Sequence, residues 1–182
     1  MARSMTSSVL SRFLVLLLLA LFLSTSVPPP SARAAAPTDI AFTGFVVDQA
    51  SVLSPAERDR LTMRLDWFQQ RTGHQFAVVT VDSLHGQNVA LFTRRLANRW
   101  GVGRFAVNDG ILLLIAPNEK KARIEVGRGL ERRLTDPLCT AIMRWTIIPA
   151  IRRDGVAAGI DAGVGAIFAQ FGQAPRRQGR AA

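Results

Sequence analysis

Residues 110–126 read GILLLIAPNEKKARIEV, and this stretch decides the fold. Ile111 to Ile115 is a wholly apolar run of strand length, as a strand covered on both faces requires. Pro117-Asn118-Glu119-Lys120 is turn chemistry, and so short a connection returns the chain antiparallel. The next strand is therefore Ala122 to Val126, with Ile124 and Val126 on one face and Arg123 and Glu125 on the other. Gly127-Arg128-Gly129 breaks it. That triplet lacks a third glycine and opens no helix at once, so a turn needing positive φ fits it better than a phosphate cradle.

Working upstream, Phe76 to Val81 (FAVVTV) is a second buried strand, and Phe45-Val46-Val47, ending at Asp48, is a short first one. Between them Ser54-Pro55-Ala56-Glu57 starts a helix: Ser54 caps, Pro55 suits the first helical position and Glu57 completes a capping box. Leu61, Leu65 and Phe68 recur at helical spacing until Gly73. A second helix follows Gly86, with Val89, Phe92, Leu96 and Trp100 on one face, and Gly101-Val102-Gly103 stops it. Downstream, Thr135-Asp136-Pro137 starts a third helix, with Asp136 as its cap, and a fourth runs from about Val156 to Phe171. The order β-α-β-α-β-β-α-α implies a three-layer α/β/α sandwich, a single domain with helices on both faces of a small mixed sheet.

The ends have a different character. Phe13 to Leu23 (FLVLLLLALFL) is preceded by Arg3 and Arg12 and followed by Ala32-Arg33-Ala34. A basic region, an apolar core and an A-x-A site make a signal peptide over 1–34, and the run is shorter than the roughly 20 residues that span a bilayer. The formal charge of +10 falls to +7 without Arg3, Arg12 and Arg33, and to +4 without Arg176, Arg177 and Arg180 of a polar, disordered tail over 173–182. The domain between, 40–172, is mildly basic. That suits an envelope protein or an anionic membrane surface as partner, whereas export and the lack of interleaved aromatics exclude nucleic acid. The expected location is periplasmic or extracellular, with membrane association as a variant. Cys139 is the only cysteine, so no internal disulfide forms, and its apolar neighbours make it a buried thiol.

There is no Walker loop, GxSxG, HExxH or EF-hand loop. His74 and His85 sit in loop-like sequence and read as surface residues. What remains is acids at element ends: Asp48, Asp109, Glu131 and Asp136. Loop oxygens are what calcium or magnesium requires, although a helix cap and an ordinary turn account for Asp136 and Asp109 without any ion. Asp48 follows a strand and Asp109 precedes one, so they share a sheet edge only if those strands are antiparallel. With parallel strands, Asp48 is expected to stay with Glu131 while Asp109 leaves.

Several segments in order resemble the TPM domain family, named for a thylakoid-lumen phosphatase, a photosystem repair protein and a nicotinic-receptor auxiliary protein. They are Phe45-Val-Val-Asp48-Gln-Ala-Ser-Val-Leu53, Thr72-Gly73 through Val81, Trp100-Gly101-Val-Gly103 and Asn108-Asp109-Gly110-Ile-Leu112. Arg123-Ile-Glu125-Val-Gly127-Arg-Gly129-Leu-Glu131 with Thr135-Asp136, then Ile148-Pro149 and Gly155…Gly159-Ile160, complete the match from Phe45 to Phe171. The resemblance implies an α/β/α sandwich in an exported or membrane-anchored protein. It also implies divalent-cation binding through Asp48, Asp109, Glu131 and Asp136. The expected function is an envelope accessory or interaction module. The alternative is a weak metal-assisted acid phosphatase in which Arg123 or Arg128 orients the phosphate.

Overall fold

The computed structural model describes residues 40–172; the leader over 1–34 and the tail over 173–182 lie outside them. The elements are β1 (Val46–Asp48), α1 (Pro55–Thr72), β2 (Phe76–Thr80), α2 (Val89–Trp100), β3 (Ile111–Ala116), β4 (Lys121–Val126), a 3-10 turn (Arg128–Leu130), α3 (Asp136–Ile142), a π-helical segment (Met143–Ile147), α4 (Ile148–Asp154) and α5 (Val156–Ala169). They form the expected three-layer α/β domain.

Local chemistry sets the helix ends. Ser54 Oγ accepts from the Glu57 amide at 3.3 Å while Glu57 Oε2 accepts from the Ser54 amide at 2.8 Å, a complete capping box. Gly73, at φ 73°, closes α1 in the left-handed conformation that costs glycine least. Asn88 caps α2 by accepting from the amides of Ala90 and Leu91. At α3 the cap is Thr135, which accepts from the Leu138 amide; Asp136 is the first helical residue instead of the cap.

The third helix runs on as α3, the π segment and α4 to Asp154. Pro149 lies inside this run, where it can donate no hydrogen bond and would crowd the carbonyl four residues back. The widened π turn just before it absorbs that defect.

The sheet order is β1-β2-β3-β4, parallel from β1 to β3, with β4 antiparallel to β3. Every residue of β2 and β3 is buried. Phe76, Val78, Leu113 and Ile124 face α1 and α5, where Phe68 stacks on Phe168 at 4.6 Å. Ala77, Val79, Leu112 and Leu114 face Phe92 and Leu96 of α2. The crossovers β1-α1-β2 and β2-α2-β3 step the same way across the sheet yet place their helices on opposite faces. They are therefore of opposite hand, and one departs from the usual right-handed connection. Among the described residues no helix is long and apolar enough to cross a membrane.

Candidate binding site

The edge where β3 begins and β4 ends is built on glycine. A Cβ on Gly110 would overlap the Val102 carbonyl, one on Gly127 the Asn108 carbonyl, and one on Gly129 the Val107 carbonyl. Gly127 has φ −69°, so its requirement is room for a neighbouring backbone, where the sequence pointed to positive φ. The loop before β3 can thus press onto the turn after β4, with the Gly127 amide donating to Gly110 O at 2.8 Å and the Gly129 amide to Asn108 O at 2.9 Å. Within that loop, the amides of Val107 and Asn108 both donate to Arg104 O, at 3.1 and 2.7 Å. Phe105 and Ala106 form the tip of this turn, and Phe105 is fully exposed.

Asp109 anchors the turn from below. Its side chain is wholly buried, yet Oδ1 accepts the Arg104 amide at 2.9 Å and Oδ2 accepts Arg104 Nε at 2.9 Å, with Nη2 of the same guanidinium also on Oδ2. His74 Nδ1 lies 2.8 Å from Oδ2. Burial alone would raise the carboxyl pKa; the hydrogen bonds from Arg104 and His74 outweigh it and hold the group below the ordinary carboxylate range. His74, which read as a surface residue, is four-fifths buried and packs 5.4 Å from the Phe171 ring. Neither His74 nor Arg104 stands out in the sequence. The available signal was Asp109 itself, a carboxylate one residue from a fully buried strand, which needs a cationic partner.

The four acids do not gather. Asp48 lies at the C-terminal edge of the parallel strands, where its oxygens accept the amides of Val52 (3.2 Å) and Leu53 (2.9 Å) and the Thr80 hydroxyl. Asp109 lies at the opposite edge because β1 and β3 are parallel. Glu131 joins Asp109's edge and leaves Asp48, because β4 returns antiparallel and carries its C-terminus there. Asp136 is largely exposed and stands 3.6 Å from Arg123. Among the described residues no group of three or more His, Cys, Asp or Glu side chains could hold a metal.

Beside the loop, a cleft of about 350 Å³ opens between α2 and the end of β4. Its polar lining comes from Arg94, Asn98, Asn108, Glu125, Arg128 and Glu131, around Gly110 and Gly127. Glu125 forms one wall, held by Arg94 at 2.9 Å and Arg123 at 3.3 Å. Among the described residues no serine, threonine, cysteine, histidine or aspartate lines this cleft. With arginines, asparagines and two glutamates on its walls, it can offer charge and hydrogen bonds to a ligand.

A family model described as the TPM domain matches residues 46–170, most of the chain and all of the site just described. The chain belongs to the TPM domain family. Two solved structures are similar to this TPM domain. One is the N-terminal domain of a P. gingivalis protein, 33% identical at a TM-score of 0.69, covering 76% of this chain and 92% of that one. The other is the N-terminal domain of a Corynebacterium glutamicum protein, 15% identical at 0.57, covering 77% of this chain and 86% of that one, a likeness of fold alone. No curated protein matches the sequence.

Proposed function

We propose that this TPM domain is an exported interaction module of the cell envelope, and that its working surface is the edge where β3 begins and β4 ends. The observation that carries this reading is a charged cleft beside a hydrogen-bonded turn that displays Phe105. Export rests on the basic, apolar and A-x-A order of residues 1–34. A calcium or magnesium ion enters this reading only through Glu131 at the cleft. Asp48 and Asp109 are already satisfied by protein donors, and Asp136 stands beside Arg123.

The competing phosphatase reading has less support. Arg123 is committed to Glu125 and Asp136, which among the described residues leaves Arg128 as the phosphate-orienting group, with no cluster of three acids or histidines to hold the metal beside it. The test is a photo-crosslinking side chain at position 105 or, on the opposite edge, at position 59, with the protein in its own envelope. Adducts from 105, to protein or to lipid, and none from 59 are expected; equal yields, or none of either kind, would overturn the assignment of the surface. Phosphomonoester turnover that a chelator abolishes and Arg128→Gln removes would establish the enzyme instead.

A further inference from the structure

Single exposed apolar side chains are ordinary, but neighbouring ones that stand together beside uncompensated charge are what marks an interaction surface. Phe105, Ala106 and Val107 form such a display: Phe105 is fully exposed, Val107 is 44% exposed, and the turn that carries them is closed by two hydrogen bonds to Arg104 O. Beneath it, Arg104 is neutralised by Asp109. Close by, the backbone contact of Gly129 with Val107 brings in the turn that carries Arg128, and the exposed Arg132 and Arg133 follow. Arg128 and Arg132 make no ion pair among the described residues, and Arg133 lies over the Phe171 ring at 5.1 Å. Glu131 is the one acid among them. The opposite edge has another character: Glu57, Asp59, Asp82 and Glu119 are interspersed there with basic residues.

We propose that this edge docks the protein on an anionic membrane surface, with Phe105 at the turn tip entering the headgroup layer and Arg128, Arg132 and Arg133 meeting the lipid phosphates. The proposal rests on the interaction reading above and names its partner. A protein partner anchors an aromatic in a pocket and needs a surrounding rim to exclude water. A single phenylalanine at a protruding tip offers no such rim, whereas a lipid interface closes around it. An apolar tip backed by unpaired cations is the chemistry by which peripheral proteins lie on acidic bilayers.

The experiment is flotation of the full exported chain, tail included, with phosphatidylcholine vesicles with or without phosphatidylglycerol. The parent should partition onto the acidic vesicles alone and be released by salt. Phe105→Ser, which removes a fully exposed side chain and so should leave folding intact, should lower partitioning by about tenfold. The pair Arg128→Ser and Arg132→Ser should lower it by about fivefold per arginine, while Arg58→Ser on the opposite edge should change nothing. A Phe105→Trp variant should shift its emission to the blue on acidic vesicles and be quenched by brominated lipid. Lipid binding indifferent to Phe105→Ser, or no binding by the parent at low salt, overturns the proposal. If position 105 still crosslinks to a protein in the envelope, or if Phe105 proves to drive self-association in sedimentation, the interaction surface stands and the lipid assignment falls.

Discussion

Asp109 receives Arg104 twice, the backbone amide on one oxygen and the guanidinium on the other, so that one buried carboxylate closes the turn that displays Phe105. Replacing it by asparagine keeps the shape and removes the charge. Loss of a buried pair costs several kcal/mol, but Arg104 is 58% exposed and regains water. We therefore expect Asp109→Asn to cost about 2 kcal/mol in a urea titration. A midpoint equal to the parent's would show that the pair contributes nothing.

The same group sets the acid limb of stability. Its folded pKa lies below its unfolded value, which is about 3.9 for an aspartate. The folded state is therefore favoured in full above that value, and the contribution is lost as pH falls through the lower folded value. Thermal scans on acidification should show a fall that begins near about pH 4 and is shallower in Asp109→Asn. Parallel curves for the two proteins would contradict the pairing of Asp109 with Arg104 and His74.

Two glycine substitutions separate crowding from backbone strain. Gly73→Ala meets open space and costs only its left-handed φ, about 1 kcal/mol. Gly127→Ala has an ordinary φ but places a methyl on the Asn108 carbonyl, so it should cost about 2–3 kcal/mol. The reverse order in thermal melts would refute the account of the glycine-built edge.

Cys139 is 1% exposed, and its thiol is pushed up to about 11, chiefly by burial. A thiol reagent at neutral pH should label it only as fast as the domain unfolds, and no disulfide-linked dimer should form under oxidation. Rapid labelling of the folded protein would contradict this burial.

Cation titration addresses the acids directly. Since Asp48 is satisfied by two amides and a hydroxyl at the far edge, calorimetry with calcium or magnesium should give the same isotherm for the parent and Asp48→Asn. Saturable binding that this change abolishes would restore Asp48 as a ligand.

The start of α1 was legible because its capping is local, Ser54 and Glu57 meeting within one turn, whereas at α3 the cap fell on Thr135 and not on the adjacent Asp136. The buried strands β2 and β3 were legible from composition alone. Direction was not, because whether β1 runs with or against β3 depends on how the whole chain winds, and on that turns which edge Asp109 occupies. His74 and Asp109 pair across 35 residues of sequence, and their spacing carries no period that could announce it. The π turn that tolerates Pro149 within a helical run has no local residue signature.

The sheet divides the interior unequally, with 20 buried residues on the face of α1 and α5 and 11 on the face of α2. Helix α2 leads directly into the loop that ends at Asp109. In amide exchange, the amides of α2 should therefore open at lower free energy than those of α1, while β2 and β3 stay protected. The thin side of the core can then let the binding edge breathe on its own, leaving the thick side to keep the protein folded.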